Sequence, residues 1–225
     1  MPKGALICPS CISRLSFVES PVCQKCGKEV RSDVLEYCPD CQRHRRSFEY
    51  GTALLNYNEA AAHSMAAIKY KNKREYLDFY AGESAKRLGP VLLSMKADAL
   101  IPVPVHPKRL RKRGFNQAGV LAEKLGELLS IPVEPHLLYR IRNTEAQKEL
   151  SASERLKNLE KAFAVSEPQD PRDAGAGSGK NMPECVILVD DIYTTGSTIE
   201  ACTRVLKRAG VKKVYFFAVC IGQRD

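Results

Sequence analysis

The strongest hydrophobic signal in the chain is a short aliphatic run that leads directly into two acidic residues. Residues 186–189 are Val-Ile-Leu-Val, and Asp190 and Asp191 follow without a break. A run this short and this rich in β-branched residues is typical of a strand buried on both faces, as in a parallel sheet. After the acids comes a short loop, and a helical pattern begins near Thr198. The segment therefore predicts a buried strand, a loop and a helix in that order.

The rest of residues 48–225 shows the same alternation of strand-like and helix-like patterns. The other predicted strands are residues 50–57, at an edge of the sheet, 99–105 and 214–220. The predicted helices are residues 60–70, 74–93 (interrupted near Gly89 and Pro90), 117–130 and 198–209, with Gly210 placed to cap the last one. A strand, a helix and a further strand imply a right-handed crossover. We therefore predict an α/β fold with a mostly parallel sheet flanked by helices.

The loop after the two acids has the composition of an anion-binding site. It contains four hydroxyl residues and one glycine: Thr194, Thr195, Gly196, Ser197 and Thr198. Free N–H groups and the positive end of the macrodipole at a helix start favour an anion, and glycine allows close approach or a positive φ. Each piece alone is ordinary helix-cap chemistry. Together they predict a phosphate cradle beside two carboxylates, and a sugar phosphate supplies the hydroxyl donors that carboxylates need.

The most basic stretch, residues 106–117, follows the strand predicted at 99–105. Its cationic residues are Lys108, Arg109, Arg111, Lys112 and Arg113. Ligands of open α/β sheets bind beyond the carboxyl ends of the strands, so a basic loop at that edge would meet a second phosphate group of the ligand. The alternative is an exposed polybasic loop that binds nucleic acid or nothing.

Three other polar segments leave their roles open. The basic turn at residues 69–74 is either a solvated helix end or a ligand contact. Residues 136–165 predict a mobile polar loop and a short helix, which would be a lid around residues 142–150 or an ordinary surface connection. Residues 166–184 are rich in Pro, Gly, Asp and Ser and predict a flexible connection.

Six of the nine cysteines form three Cys-x-x-Cys pairs in the first 41 residues: Cys8/Cys11, Cys23/Cys26 and Cys38/Cys41. Two such pairs can close a tetrahedral zinc site. We favour the second and third pairs, because Gly27 follows Cys26 as tight zinc-binding turns require. The first pair could instead join the second, and His44 is a spare candidate ligand. The remaining cysteines, Cys185, Cys202 and Cys220, lie in apolar contexts typical of small buried residues.

Composition narrows the class of protein. The chain has 225 residues, a net charge of +9 and a pI near 9.1, which suits phosphate-bearing ligands or nucleic acid, although solvated lysines explain part of it. No apolar run is long enough to span a membrane, and the first residues do not predict a signal peptide. The organisation that follows is a cysteine-rich zinc ribbon at residues 1–47 and an α/β domain at residues 48–225.

The run Val-Asp-Asp-Ile-Tyr-Thr-Thr-Gly resembles the phosphoribosyl-pyrophosphate signature of the type I phosphoribosyltransferases. In that family the two acids hold the ribose hydroxyls, and the loop amides hold the 5′-phosphate. The resemblance therefore assigns these roles to Asp190 and Asp191 and to residues 194–198.

A wider pattern resembles the ComF family of competence-associated, phosphoribosyltransferase-like proteins over nearly the whole chain. It combines the cysteine-rich start, a Pro-Val-Pro strand, the run His-Pro-Lys-Arg-Leu-Arg-Lys-Arg-Gly-Phe-Asn-Gln and the signature above. The resemblance implies a cytoplasmic protein with a phosphoribosyltransferase-like fold, structural Zn²⁺, and phosphoribosyl pyrophosphate bound with Mg²⁺. It also implies handling of single-stranded DNA with other DNA-uptake proteins. Many relatives carry four cysteine pairs, whereas this chain has three.

Two functions remain open from the sequence. If the ligand is turned over, Asp190, Asp191, Arg109 and Arg113 are the candidate catalytic residues, and Lys108 and Arg111 join the two arginines around the departing pyrophosphate. If it is not, the chain is a phosphoribosyl-ligand or nucleotide sensor that handles single-stranded DNA. No general base and no base-recognition pocket can be identified from the sequence, so the acceptor stays unnamed.

Overall fold

The protein is described by a computed structural model that covers residues 6–142, 152–166 and 182–222. Its strands are β1 Gly51–Asn56, β2 Ala99–Pro102, β3 Leu138–Arg140, β4 Phe163–Val165, β5 Cys185–Tyr193 and β6 Lys213–Ile221. Its helices are α1 Pro9–Ile12, α2 Pro39–Arg43, α3 Glu59–Tyr70, α4 Tyr76–Ser94, α5 Pro107–Arg113, α6 Gln117–Leu129, α7 Ala152–Glu160 and α8 Ser197–Arg208.

The main sheet has four parallel strands in the order β1-β6-β5-β2. Leu188 at the centre of β5 lies between Ile101 of β2 and Phe216 of β6. The four aliphatic residues at 186–189 are completely buried, which explains why this run lacks the polar alternation of a strand with one solvated face. The predicted α/β class, the parallel sheet and the edge position of β1 are confirmed.

Helices cover both faces of the sheet, because side chains of β5 alternate between two apolar layers. Ile187 and Val189 pack with α3, α4 and α6, whereas Val186 and Leu188 pack towards α8 and the cysteine-rich region. Helix α8 buries one of its faces, on which Ile199, Cys202 and Leu206 lie. Gly210 follows the C-cap residue of this helix with a φ of 111°, as predicted.

The basic stretch predicted as a loop is mostly the helix α5, so that prediction was wrong. Pro107 occupies the first turn of α5, where its missing N–H costs nothing, and Gly114 ends the helix in the left-handed region with a φ of 79°. Between them stand only Lys, Arg and Leu, all good helix formers. The preceding strand also stops early, at Pro102, although it was predicted to reach residue 105.

The break predicted near Gly89 and Pro90 was also wrong, because α4 continues through both residues. A proline inside a helix loses one backbone hydrogen bond, at a cost of about 3 kcal/mol. Buried residues on both sides of it, from Leu77 to Leu92, fix α4 in the first apolar layer, and Gly89 lies close to Leu129 of α6. Tertiary packing therefore outweighs the local preference.

Residues 136–142 and 152–166 form more regular structure than the polar loop predicted for most of this segment. Strands β3 and β4 form an antiparallel pair in which Leu138 lies opposite Val165 and Arg140 opposite Phe163, and α7 packs on α8. Strands of three residues are too short to show an alternating pattern, which explains why they were missed. The predicted lid lies mostly outside the described residues, as does the predicted flexible connection, apart from its first residue and its last three.

The cysteine-rich region packs against edge strand β1. Phe17 forms an antiparallel bridge with Leu55, and Gly51 N donates a hydrogen bond to Lys25 O at 3.0 Å. Gly27 has a φ of 75°, and a Cβ there would lie 2.7 Å from Gly51 O, so glycine allows this close approach. The contact covers the open edge of the sheet. Among the residues described, no helix is long and apolar enough to cross a membrane.

Candidate ligand site at the carboxyl edge of the sheet

The two acids lie inside β5 rather than after it, because the strand runs on to Tyr193. Asp191 forms an ion pair with Lys69 at 2.6 Å, and both side chains are mostly buried. Lys69 is in the last turn of α3 and belongs to the basic turn whose role the sequence left open. The structure therefore brings one end of that turn into the site, in agreement with the ligand-contact alternative that the sequence left open.

Asp190 reaches towards the other apolar layer, where it interacts electrostatically with Arg140 and Cys202. Its Oδ1 accepts a hydrogen bond from Asp191 N at 2.8 Å. Dense protein surroundings raise the pKa of Asp190 well above its ordinary value, and the neighbouring charge of Asp191 raises it further, although part of the side chain stays accessible to solvent. The ionised form of Asp190 is therefore unfavourable in the free protein. A ligand that donates hydrogen bonds or carries positive charge would stabilise it.

Arg140 is the second site residue that the sequence did not single out. It ends β3, contacts the Phe163 ring at 5.3 Å, and its guanidinium pKa is lowered by burial and by the positive charge of Arg109. A buried arginine near a carboxylate is a strong anchor for an anionic group. The signal for it was the Leu-x-Arg alternation of β3, which is too short to be recognised in advance.

The raised pKa of Asp190 makes a prediction for stability. The folded protein binds this proton more tightly than the unfolded chain, so stability falls as pH rises from about 4 through the raised folded value. Asp190→Asn removes the penalty and should raise Tm at pH 8, by roughly 2–4 °C for each kcal/mol relieved, with the difference vanishing near pH 4. Thermal unfolding across pH measures this, with the exposed Asp33→Asn as control. An Asp190→Asn protein that gains nothing at pH 8 contradicts the assignment.

The loop between β5 and α8 has the geometry of a helix start that is open to an anion. Gly196 is the N-cap residue with a φ of 73°, in the left-handed region, and it has no side chain of its own to cap the helix, while Ser197 N donates to Thr195 Oγ1 at 3.4 Å. Thr195 Oγ1 lies 3.0 Å from Ser197 Oγ, so the hydroxyls are grouped at the first turn. The twelve residues of α8 place the positive end of its dipole at this loop, directly after the acid pair.

Gly196 is expected to be irreplaceable in this loop. A Cβ at residue 196 would lie 2.3 Å from Tyr193 Oη, and Tyr193 cannot move freely because it stacks on Phe216 at 4.6 Å. Together with the left-handed backbone, this predicts that Gly196→Ala destabilises the protein by about 1–3 kcal/mol. Gly82→Ala is the matched control in α4, where a Cβ meets nothing within 4 Å, and it should stabilise by about 0.4–1 kcal/mol. Urea titrations of both variants measure the difference, and equal effects would contradict the strained-loop geometry.

Helix α5 places its basic side chains beyond the carboxyl end of β2. Burial lowers the pKa of His106, whose side chain caps this helix, and the charges of Arg140, Lys108, Arg109 and Arg111 lower it further. Arg109 and Arg140 therefore share one region of the site with Asp190. The stretch predicted to meet the second phosphate lies at the expected edge, although as a helix.

Arg113 lies at the opposite end of α5. Its guanidinium donates to Gln117 Oε1 at 3.0 Å and lies 5.5 Å from the centre of the Tyr70 ring, which follows Lys69 in the chain. The candidate basic residues are therefore divided between two neighbourhoods, one around Arg140 and one around Tyr70. Of the described contacts, those of Lys108 and Arg111 involve His106 rather than the acids.

A separate metal site is formed by four cysteines: Cys23, Cys26, Cys38 and Cys41. Their Sγ atoms all lie within 4.8 Å of one another, and Cys26 Sγ is 3.6 Å from Cys38 Sγ. Thiolates around a tetrahedral zinc are about 3.8 Å apart for Zn–S bonds of about 2.3 Å, so the cluster fits a structural Zn²⁺. This is the set that the sequence favoured.

The first cysteine pair lies outside this cluster. Cys8 Sγ is 3.2 Å from Ser10 Oγ, and Cys11 is exposed. The alternative in which these two share a site with the second pair is therefore not what the structure shows. His44 also stays apart, with Nδ1 3.1 Å from the backbone O of Asp40, and Cys202 and Cys220 are fully buried as expected.

Fold and site together define an α/β protein with a parallel sheet, a carboxyl-edge site of acids, hydroxyls and basic side chains, and a four-cysteine ribbon. Residues 1–42 match the double zinc ribbon domain family. The chain is 30% identical over 215 residues to Competence protein F of Haemophilus influenzae, covering 92% of this chain and 87% of that protein. The chain therefore belongs to the ComF family.

Two further relatives extend the comparison. Competence protein ComFC of Bacillus subtilis is 28% identical over 210 residues, covering 91% of this chain and 79% of that protein. DNA utilization protein YhgH of Escherichia coli is 26% identical over 220 residues, covering 95% of this chain and 89% of that protein. The similarity in each case spans both the cysteine-rich region and the α/β region. The described residues hold one four-thiol cluster, although the matched domain family is a double ribbon.

Proposed function

We propose that this chain binds phosphoribosyl pyrophosphate with Mg²⁺ at the carboxyl edge of its sheet, as part of a role in DNA uptake. The observation that carries the proposal is the sequence of groups around the end of β5. Two acids inside the strand precede the Gly196 loop and the open N-terminus of α8. A ligand with hydroxyls next to a phosphate matches both groups at once, which neither an inorganic anion nor a simple sugar does.

The two ends of the ligand would meet different parts of the site. Asp190 and Asp191 accept hydrogen bonds from the ribose hydroxyls, and residues 194–198 donate to the 5′-phosphate. The pyrophosphate group lies towards the basic residues: Lys108, Arg109, Arg111 and Arg113. Arg140 and Lys69, which the structure adds to the site, extend this positive region around both acids. These basic side chains would offset the negative charge of the ligand. The two acids would keep their own charge and stay available to the ribose hydroxyls.

Mg²⁺ prefers oxygen ligands, and Asp190 and Asp191 are the carboxylates available for it beside the ligand oxygens. When bound, the ion would neutralise pyrophosphate charge. Turnover would break the bond between ribose C1 and the pyrophosphate oxygen, and Asp190, Asp191, Arg109 and Arg113 are the residues proposed to stabilise the separating charges. The acceptor of the ribosyl group is the part of this reaction that the site does not identify.

A second candidate function is a phosphoribosyl-ligand or nucleotide sensor that handles single-stranded DNA without turning the ligand over. The observation that favours it is the surface beside α5, where Tyr70 is 69% exposed and its ring centre lies 5.5 Å from the Arg113 guanidinium. Exposed aromatic rings within a positive surface suit stacked bases and phosphates. The relatives are named as competence and DNA utilization proteins, which supports a place in DNA uptake. The proposal also includes a cytoplasmic location and other DNA-uptake proteins as partners. It divides the chain into a zinc ribbon at residues 1–47 and a phosphoribosyltransferase-like domain at residues 48–225.

A ligand series tests the proposed site. With Mg²⁺ present, we expect phosphoribosyl pyrophosphate to raise the Tm of the zinc-loaded protein more than ribose 5-phosphate or inorganic pyrophosphate does at the same concentration. The reason is that only the full ligand engages the acids, the loop and the basic side chains together. Equal shifts with pyrophosphate alone would show that the acids take no part. For the second candidate, affinity for a single-stranded oligonucleotide should fall steeply with salt and fall again in Tyr70→Ala.

A further inference from the structure

The segment that leaves the cysteine-rich region contacts the ligand loop directly. Arg46 Nη2 donates a hydrogen bond to Thr195 O at 2.8 Å, although the two residues are 149 positions apart in the chain. Arg46 follows Cys41, the last of the four clustered cysteines, by five residues. Arg46 therefore connects the chain segment that leaves the thiol cluster to the loop.

The bond to Thr195 O sets the direction of a loop N–H group. In a trans peptide the carbonyl and the following N–H point in opposite directions. Because Arg46 holds the carbonyl of Thr195, the N–H of Gly196 points in the opposite direction within the same peptide plane, away from the Arg46 guanidinium. Glycine has no Cβ to resist rotation, so this peptide needs an outside contact to stay in one orientation. A rotated peptide would present an oxygen to a bound anion instead of a donor.

A second contact fixes the first turn of α8. Glu200 is 1% exposed, and its carboxylate accepts hydrogen bonds from Ser47 N at 2.8 Å and from Ser47 Oγ at 2.7 Å. The same carboxylate pairs with Arg204 at 2.7 Å. A buried carboxylate that lost two of these bonds would be left undersatisfied, which is costly. The first turn of α8, which borders the loop, therefore keeps its position only if Ser47 stays in contact with Glu200.

The Tyr193 ring packs both in the apolar layer of the thiol cluster and against the loop. It is packed in the same apolar layer as Cys23, Cys26 and Cys38, and it stacks on Phe216 at 4.6 Å. The hydroxyl lies beneath Gly196, as the close approach of a Cβ at that residue shows. Loss of order in the cluster would therefore reach the loop by three routes, through Arg46, Ser47 and Tyr193.

We propose that the cysteine-rich region positions the anion loop, so that zinc at the four thiols and ligand at the loop strengthen each other's binding. Arg46 is the main positioning residue, and the Ser47–Glu200 contact is the second. Coupling between two sites is reciprocal, so zinc tightens the ligand by the same factor by which the ligand tightens zinc. The ligand half of this inference rests on the proposed function, whereas the effect of Arg46 on the loop does not.

The experiment uses the full zinc-loaded chain and compares Arg46→Gln with the matched control Arg45→Gln, whose arginine is exposed next to it. Hydrogen exchange at the loop end of α8 is measured first without ligand, on Glu200 N–H, which donates to Gly196 O at 2.8 Å. We expect at least about tenfold faster exchange in Arg46→Gln, with zinc retained, and wild-type exchange in Arg45→Gln. Ser47→Ala serves as a second, milder variant if Arg46→Gln does not fold, and a smaller acceleration is expected. Wild-type exchange of this N–H in the folded, zinc-loaded variants overturns the positioning role.

The second arm measures release of zinc to a chromogenic chelator, with and without phosphoribosyl pyrophosphate and Mg²⁺. Coupling of ordinary strength predicts that the ligand slows release by about 5-fold or more in wild type and Arg45→Gln, and by less than about 2-fold in Arg46→Gln. If wild type binds the ligand but its zinc release does not change, the coupling is wrong. If wild type binds no ligand, the proposed function fails, and the exchange measurement still decides whether Arg46 orders the loop.

Discussion

Asp191→Asn is expected to weaken binding of phosphoribosyl pyrophosphate by about 10- to 100-fold while leaving the protein folded. The substitution removes the charge that accepts hydrogen bonds from the ligand, and hydrogen bonds to charged groups contribute about 1.5–3 kcal/mol. It also leaves Lys69, now paired at 2.6 Å, without its partner in a mostly buried position. If the ligand is turned over, turnover should be lost. Isothermal titration calorimetry on the purified variant measures the loss.

The control for this substitution is Asp98, which precedes β2 and contacts the end of β5 that is opposite to Asp191. Asp98 Oδ2 accepts hydrogen bonds from the backbone N–H groups of Glu184 and Cys185, at the amino end of β5 and far from the loop. Asp98→Asn should lower stability slightly and leave ligand affinity unchanged. An Asp191→Asn protein that binds or turns over the ligand like wild type would remove Asp191 from the site.

Removal of zinc is expected to lower Tm by at least about 10 °C and to abolish ligand binding. Structural zinc sites contribute much of the folding energy of small cysteine-rich units, on the order of 10 kcal/mol in isolated peptides. Here the effect should extend beyond the cysteine-rich region, because Cys23, Cys26 and Cys38 share an apolar layer with Phe48 and Phe216 of the sheet region. Calorimetric unfolding before and after chelation measures it.

Two cysteine substitutions separate the metal site from the remaining pair. Cys26→Ser should reproduce the effect of chelation, since this thiol is completely buried in the cluster. Cys11→Ser changes an exposed residue outside the cluster, and it should leave one zinc per chain and shift Tm by less than about 2 °C. A large loss of zinc or stability in Cys11→Ser would mean that the first pair belongs to the structural site.

The features that the sequence predicted are those specified by local pattern. The run at residues 186–189 identifies β5 because a strand buried on both faces must be apolar at every position. Gly27 and Gly196 mark backbone positions that do adopt positive φ, and the spacing of Cys23, Cys26, Cys38 and Cys41 identifies the thiols that come together. In each case the information lies within a few residues of the feature.

The features that were missed depend on contacts between distant parts of the chain. The sequence left the turn that contains Lys69 undecided between a solvated helix end and a ligand contact, and only the position of α3 places it at Asp191. Arg140 needs the β3–β4 pair to reach Asp190. The contact between Arg46 and Thr195 joins residues 149 positions apart. Helix α5 was missed although the information for it is local, because its residues favour a helix. Its position after a buried strand suggested a ligand loop instead.

The most direct test of the account is a calorimetric titration of the zinc-loaded chain with phosphoribosyl pyrophosphate and Mg²⁺, repeated on the Asp190→Asn/Asp191→Asn double variant. The account predicts saturable binding with one site per wild-type chain, and loss of that binding in a double variant that keeps its zinc and its fold. A folded, zinc-loaded wild type that binds no ligand would contradict it, as would a double variant that binds as tightly as wild type. The acid pair and its loop would then be parts of the scaffold.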